Sequence, residues 1–250
     1  MSSNYGYQNE YDFITLFNDK YFYELDEKSR LFLKELFGNS VDLESKIQAW
    51  KNKTNQKTDI YIRHKNYIKG ISLKCGRNNS IHTESIQDFE RYLKQLSIPY
   101  KTIDKYVSYH YGYKRDEYGN TDYSQLLNAE EYKQLYQNEI DIFNDSINKT
   151  RIIIDMVERF ILIGRNSDYS VDALISGTVD DYVWIMKDDL YDLILSKRNW
   201  SFTSPHAACM IIGPKKRCIS GDNNFKDRYL VSVKWNSIKE DIVDFYNNKR

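Results

Sequence analysis

An aspartate and a lysine lie on either side of one short turn: Asp59, in the run Lys57-Thr58-Asp59-Ile60-Tyr61-Ile62-Arg63-His64, and Lys74, closing Tyr67-Ile68-Lys69-Gly70-Ile71-Ser72-Leu73-Lys74. A carboxylate and an ammonium held side by side, with a further acid nearby, are equipped to hold a divalent metal and activate water against a phosphodiester. The flanking residues dictate how the pair is delivered. Ile60 and Ile62 alternate with Asp59, Tyr61 and Arg63, and Ile71 and Leu73 alternate with Ser72 and Lys74, which predicts two half-buried strands. Joined as a hairpin, their apolar faces share a core and their polar faces stay together. A charged, solvent-facing hairpin without chemistry has the same alternation, so the surrounding residues carry the decision.

Beyond Lys74 come Gly76-Arg77-Asn78-Asn79-Ser80 and a strongly patterned segment that predicts a helix from about His82 to Leu96. With that context, Glu44 to Leu96 resembles the PD-(D/E)xK nuclease superfamily, the fold of many restriction endonucleases. The resemblance implies that Asp59 binds metal and that Lys74 positions or deprotonates the attacking water. Two positions depart from the family pattern: Thr58 replaces the usual proline, and Ser72 stands where the second acid of the (D/E)xK triplet belongs. A serine hydroxyl is a poor magnesium ligand beside a carboxylate. In serine-bearing members the acid comes from the following helix, which makes Glu84 the first candidate and Asp88 the fallback, four residues apart on one predicted helical face. Glu84 equally fits a helix N-terminal cap. Glu44, on a helix predicted from Val41, Ile47 and Trp50, matches the glutamate that many members carry on the helix before the hairpin. It also reads as a solvated residue beside Lys46 and Lys51.

The resemblance further implies an α/β (α+β) fold with a restriction endonuclease-like mixed central sheet flanked by helices, Mg2+ as cofactor with Mn2+ as substitute, and double-stranded DNA as substrate. It implies a homodimer, each subunit cutting one strand, and a cognate DNA methyltransferase encoded nearby as the mark of a restriction system. Lys and Arg total 36 against 36 Asp and Glu, so no global positive field announces nucleic acid and phosphate contacts must come from local patches. Candidates for that role are Ser72, Arg77 and His82 near the hairpin, and Lys215, Lys216 and Arg217 after the Gly213-Pro214 turn that ends an apolar run.

Two other readings compete. Arg77-Asn78-Asn79-Ser80-Ile81-His82 matches the Arg-x4-His pattern of HEPN ribonucleases, in which the arginine and histidine act on RNA without metal; that spacing belongs to helix ends in all-helical dimers, and here two strands precede it. A catalytically inactive, nucleic-acid-binding member of the nuclease fold is the third reading, and Ser72 keeps it open.

At 250 residues with 41% hydrophobic content the chain can bury a full core. It reads as one nuclease-like domain, residues 1–250, with a helical insertion at about 98–165 and a strand-rich part at about 170–250. Helices are expected at Ser29–Phe37, Tyr100–Tyr109, Ala129–Ile163, Asp188–Leu195 and Ile238–Tyr246, and strands at Val171–Ser176, Tyr182–Met186, Cys209–Ile212 and Tyr229–Trp235. Lys114 to Ser124 reads as a polar loop. Cys75, Cys209 and Cys218 form no CxxC pair, which supports neither a zinc site nor a disulfide framework. No signal pattern or membrane-spanning run is visible, and a soluble cytoplasmic protein is expected.

Overall fold

The computed structural model describes residues 3–38, 41–53, 56–75, 80–116, 118–164, 170–216 and 225–249. Arg77, Arg217 and Cys218 lie outside these described residues. The chain divides into two compact units, one built from Met1–Asn79, Val157–Leu193 and Asn236–Arg250, the other from Ser80–Met156 and Ile194–Trp235.

The first unit begins with α1 (Ser3–Phe17), β1 (Lys20–Tyr21), α2 (Glu27–Phe37), β2 (Lys46–Lys51), β3 (Ile60–His64) and β4 (Tyr67–Lys74). α2 starts where the Asp26 carboxylate accepts the Ser29 N–H at 2.7 Å, a side-chain cap for an otherwise unpaired donor. The expected β3–β4 hairpin forms, with Ile60 opposite Ile71 and His64 opposite Tyr67. Gly70 is required in β4 because an added Cβ would come within 2.8 Å of Thr58 Oγ1. β2 corrects the helix expected over Val41 to Trp50. Ile47 and Ala49 are buried and alternate with exposed Lys46 and Gln48, and pairing with both β1 and β3 satisfies the backbone. The strand period therefore prevails over a helical stripe of three residues.

The second unit opens with β5 (Ser80–Ser85), α3 (Ile86–Gln95), α4 (Tyr100–Tyr111), β6 (Tyr113–Arg115), β7 (Thr121–Leu126), α5 (Ala129–Ile147) and α6 (Thr150–Val157). The helix expected from His82 starts four residues later. Ser85 is its cap, its hydroxyl accepting the Asp88 N–H at 3.1 Å and donating to the Asp88 carboxylate at 2.8 Å. The polar segment expected as a loop is the β6–β7 hairpin, turned by the Asp116 carboxylate accepting from the N–H groups of Tyr118 and Asn120, with Gly119 at φ 80. The long helix expected to Ile163 breaks between α5 and α6, and α6 runs on into a π-helical turn, Glu158–Leu162.

β8 (Ala173–Thr178), β9 (Asp181–Met186) and α7 (Lys187–Ser196) follow, then β10 (His206–Ala207), β11 (Met210–Pro214), β12 (Leu230–Lys234) and α8 (Ile238–Lys249). The first unit's sheet has strand order β1-β2-β3-β4-β8-β9. All its pairings are antiparallel except β4 with β8, the mixed sheet with flanking helices that the sequence leads one to expect. Its core joins Phe13 and Phe17 of α1 and Phe32 and Leu33 of α2 to Ile47, Ile60, Ile62, Ile71 and Ile175, each such side chain contributing roughly 1.5–3 kcal/mol by burial. In the second unit the antiparallel order is β10-β11-β12-β5, and Tyr106 stacks on Phe143 at 4.7 Å within its helices. Among the described residues no helix is long and apolar enough to cross a membrane.

Candidate active site

Asp59 is the last residue before β3, and its backbone is tied on both sides: its N–H donates to Ile71 O at 2.9 Å and its carbonyl accepts the Asn52 N–H at 3.0 Å. With the main chain fixed, alternation puts its side chain on the face of Ser72 and Lys74. The Ser72 hydroxyl donates to Asp59 Oδ2 at 3.1 Å, the Leu73 N–H donates to the same oxygen at 2.6 Å, and Lys74 Nζ lies 3.6 Å from it. Lys74 also donates to Leu73 O at 3.2 Å. Ser72, fully buried, thus orients the Asp59 carboxylate by a hydrogen bond. All three contacts fall on Oδ2, and among the described residues Oδ1 makes no hydrogen bond or ion pair. Beside Lys74, burial pushes the Cys75 thiol above its ordinary pKa.

Asp59 lines a cleft of about 390 Å³ together with Tyr7, Glu10, Lys51, Asn52, Lys53, Gln56 and Thr58. Glu10, on α1, is the residue that sequence reasoning missed. Its carboxylate is 2.7 Å from Lys51 Nζ, and Lys51 in turn lies 4.0 Å over the Tyr7 ring. Two carboxylates and two lysines therefore share one cleft. A signal was available in the sequence: Phe13 and Phe17, with Ile14 and Leu16, mark an amphipathic helix on which Glu10 lies one turn before Phe13.

Of the other expected residues, Glu44 belongs to the same unit and stands apart from the cleft. Glu44 is exposed in the turn before β2, and the ladder from Ile47↔His64 to Lys51↔Ile60 separates it from Asp59. Those four steps alone span about 13 Å at 3.3 Å per residue, so Glu44 does not join Asp59. Glu84 and Asp88 do not share a helix face: Glu84 lies on β5 opposite Val231, while Asp88 lies in the first turn of α3, bonded to the cap Ser85, and pairs with Arg91 at 3.1 Å. Glu84 is buried in the second unit, 3.4 Å from His82 Nε2. His82 itself lies within a strand opposite Val233, neither a helix cap nor the helix-end histidine that the HEPN pattern needs. Lys215 follows β11 as expected, its N–H bonded to Leu230 O and its ammonium 3.1 Å from Asp227, with Lys216 next to it. Among the described residues no group of three or more His, Cys, Asp or Glu is placed to hold a metal ion; Asp59 and Glu10 line one cleft and carry hard oxygen donors of the kind magnesium takes.

The six-stranded mixed sheet, its flanking helices and the hairpin bearing Asp59 define a restriction endonuclease-like fold. Restriction endonuclease MspI, solved in complex with its cognate DNA, aligns over 94% of this chain and 93% of its own with a TM-score of 0.56 and 13% sequence identity. At that identity the likeness is one of fold. No protein-family model and no curated protein sequence matches the chain.

Proposed function

We propose that this protein is a metal-dependent DNA endonuclease of restriction type, hydrolysing phosphodiester bonds with Mg2+ or Mn2+. The observation that carries the reading is the Asp59 carboxylate, anchored through one oxygen by Ser72, Leu73 and Lys74 and facing a cleft that also holds Glu10. Asp59 Oδ1 and the Glu10 carboxylate are the ligands this chain offers to the metal. When bound, the ion supplies a water of lowered pKa and neutralises charge developing on phosphorus. Lys74, held by Leu73 O and Asp59, is fixed to orient the attacking water and to donate to a non-bridging phosphate oxygen as its charge grows. Lys51 and Lys53 supply positive charge for the incoming backbone. The reading includes double-stranded DNA as substrate, a homodimer, a cytoplasmic setting and a cognate methyltransferase encoded nearby.

The test is cleavage of supercoiled plasmid, single-stranded DNA and RNA with Mg2+, with Mn2+ and with EDTA. Metal-dependent nicking or linearisation of plasmid, lost in Asp59→Asn and Lys74→Met, is the expected result. Metal-independent RNA cleavage lost in His82→Ala overturns it in favour of the ribonuclease reading, and no cleavage of any substrate overturns it in favour of an inactive binder.

A further inference from the structure

On β2, β3 and β4 every lysine has a carboxylate partner: Lys46 with Asp19 at 2.9 Å, Lys51 with Glu10 at 2.7 Å, Lys69 with Asp172 at 2.8 Å and Lys74 with Asp59 at 3.6 Å. Arg63 on β3 is different. It is exposed, and among the described residues no acid pairs with it. Its guanidinium lies over the Trp50 indole, 5.3 Å from the ring centroid. That indole stacks on Tyr61 with centroids 5.7 Å apart and planes at 30°. The register places Trp50 opposite Tyr61 and Gln48 opposite Arg63, and alternation puts Tyr61 and Arg63 on the face of Asp59. The opposite face, Ile60 and Ile62, is fully buried in the core.

This row is continuous with the cleft. The Tyr61 hydroxyl donates to Gln56 Oε1 at 3.2 Å, and Gln56 lines the cleft with Asp59. A cross-strand aromatic pair explains Trp50 and Tyr61 as sheet stabilisers, but it does not explain an unpaired cation mounted on them. A guanidinium lying over an indole keeps N–H donors free for phosphate, and the contact restricts its rotamers before a ligand arrives.

We infer that Arg63, held by the Trp50–Tyr61 stack, is a phosphate contact for a DNA strand that crosses the outer face of the sheet into the Asp59 cleft. The inference rests on the nuclease reading and adds the path of the substrate to it. From Asp59 to Arg63 is four residues of strand, about 13 Å, the axial length of about four nucleotides at 3.4 Å each. Arg63 is therefore a positioning residue that grips backbone flanking the scissile phosphate.

The experiment is fluorescence anisotropy of a fluorescein-labelled, mixed-sequence duplex in EDTA over a KCl series, run beside steady-state plasmid cleavage in Mg2+. Wild type, Arg63→Gln, Arg63→Lys and Trp50→Leu are compared, with thermal unfolding to verify the fold of each. Arg63→Gln is expected to weaken binding about 5- to 10-fold and to reduce the slope of log K against log salt by about 0.9, one phosphate contact. KM should rise in parallel while kcat stays within about twofold, the signature of uniform binding lost. Arg63→Lys should recover the salt slope and only part of the affinity, because an ammonium lacks the planar fork. Trp50→Leu should weaken binding because it removes the support under Arg63. A wild type that binds and cuts DNA, with Arg63→Gln unchanged in affinity and slope, overturns the inference and leaves the nuclease reading standing. A wild type that neither binds nor cuts DNA overturns both.

Discussion

Asp59, at the start of β3, and Glu84, within β5, are both carboxylates beside a basic side chain, and their surroundings separate them. Asp59 lies at the mouth of a strand, 26% of its side chain exposed, with three groups gathered on one oxygen and a cleft in front of it. Glu84 lies inside the β5–β12 ladder with 0% of its side chain exposed and His82 Nε2 at 3.4 Å. Removing one member of a buried polar pair of the second kind leaves the other's polar group unsatisfied, whereas an acid that reaches a polar cleft is available to a ligand. Position relative to a strand's end, more than spacing within a motif, divides the two.

The largest effect should come from Asp59→Asn, with a loss of about a thousandfold in plasmid cleavage, some 4 kcal/mol of transition-state stabilisation. An equal loss from Glu84→Gln would break the contrast. Lys74→Met should cost about a hundredfold in kcat, the scale for removing one preorganised donor to a developing charge, and near-normal kcat would show that Lys74 is structural. Glu10→Gln should raise the Mg2+ concentration for half-maximal activity by about 10- to 100-fold; an unchanged metal titration would remove Glu10 from the cleft's chemistry. Glu84→Gln sharpens the comparison from the other side. Urea unfolding should show about 1–3 kcal/mol lost, with kcat little altered.

The smallest effect concerns pH. His64 is buried, its Nε2 accepts the Asp42 N–H at 2.8 Å, and burial holds its pKa below the ordinary 6.5. The unfolded chain then binds more protons than the folded one in that window, so stability is complete above pH 6.5 and falls as pH drops toward the lower folded value. His64→Gln should flatten this part of the stability curve in urea titrations. Asp42 acts in the same direction at lower pH: its hydrogen bond with Lys65 holds the carboxyl well below its ordinary range, so its contribution is lost on acidification.

Much of the hairpin was legible because its pattern is local. Alternation alone put Ile60 and Ile71 on one face and Asp59, Ser72 and Lys74 on the other, and the structure has that arrangement. The residues around it were read less well. Val41, Ile47 and Trp50 suggested a helix, yet pairing with two neighbouring strands made a strand of Lys46–Lys51. Glu84 reads as the first turn of a helix whose cap, Ser85, stands one residue later.

The sequence by itself determined that Asp59 and Lys74 would share a face, since a two-residue period is a property of extended backbone. It also determined that strands and helices would mix in one α/β fold, which follows from hydrophobic periodicity, although not the type of every element. Only the tertiary structure decided which acid accompanies Asp59. Packing Phe13 and Phe17 of α1 against the sheet brings Glu10 to the cleft across 49 residues of chain, and the β2–β3 register carries Glu44 away from it. Helix packing and strand register are set by contacts between distant segments, and no local spacing encodes them.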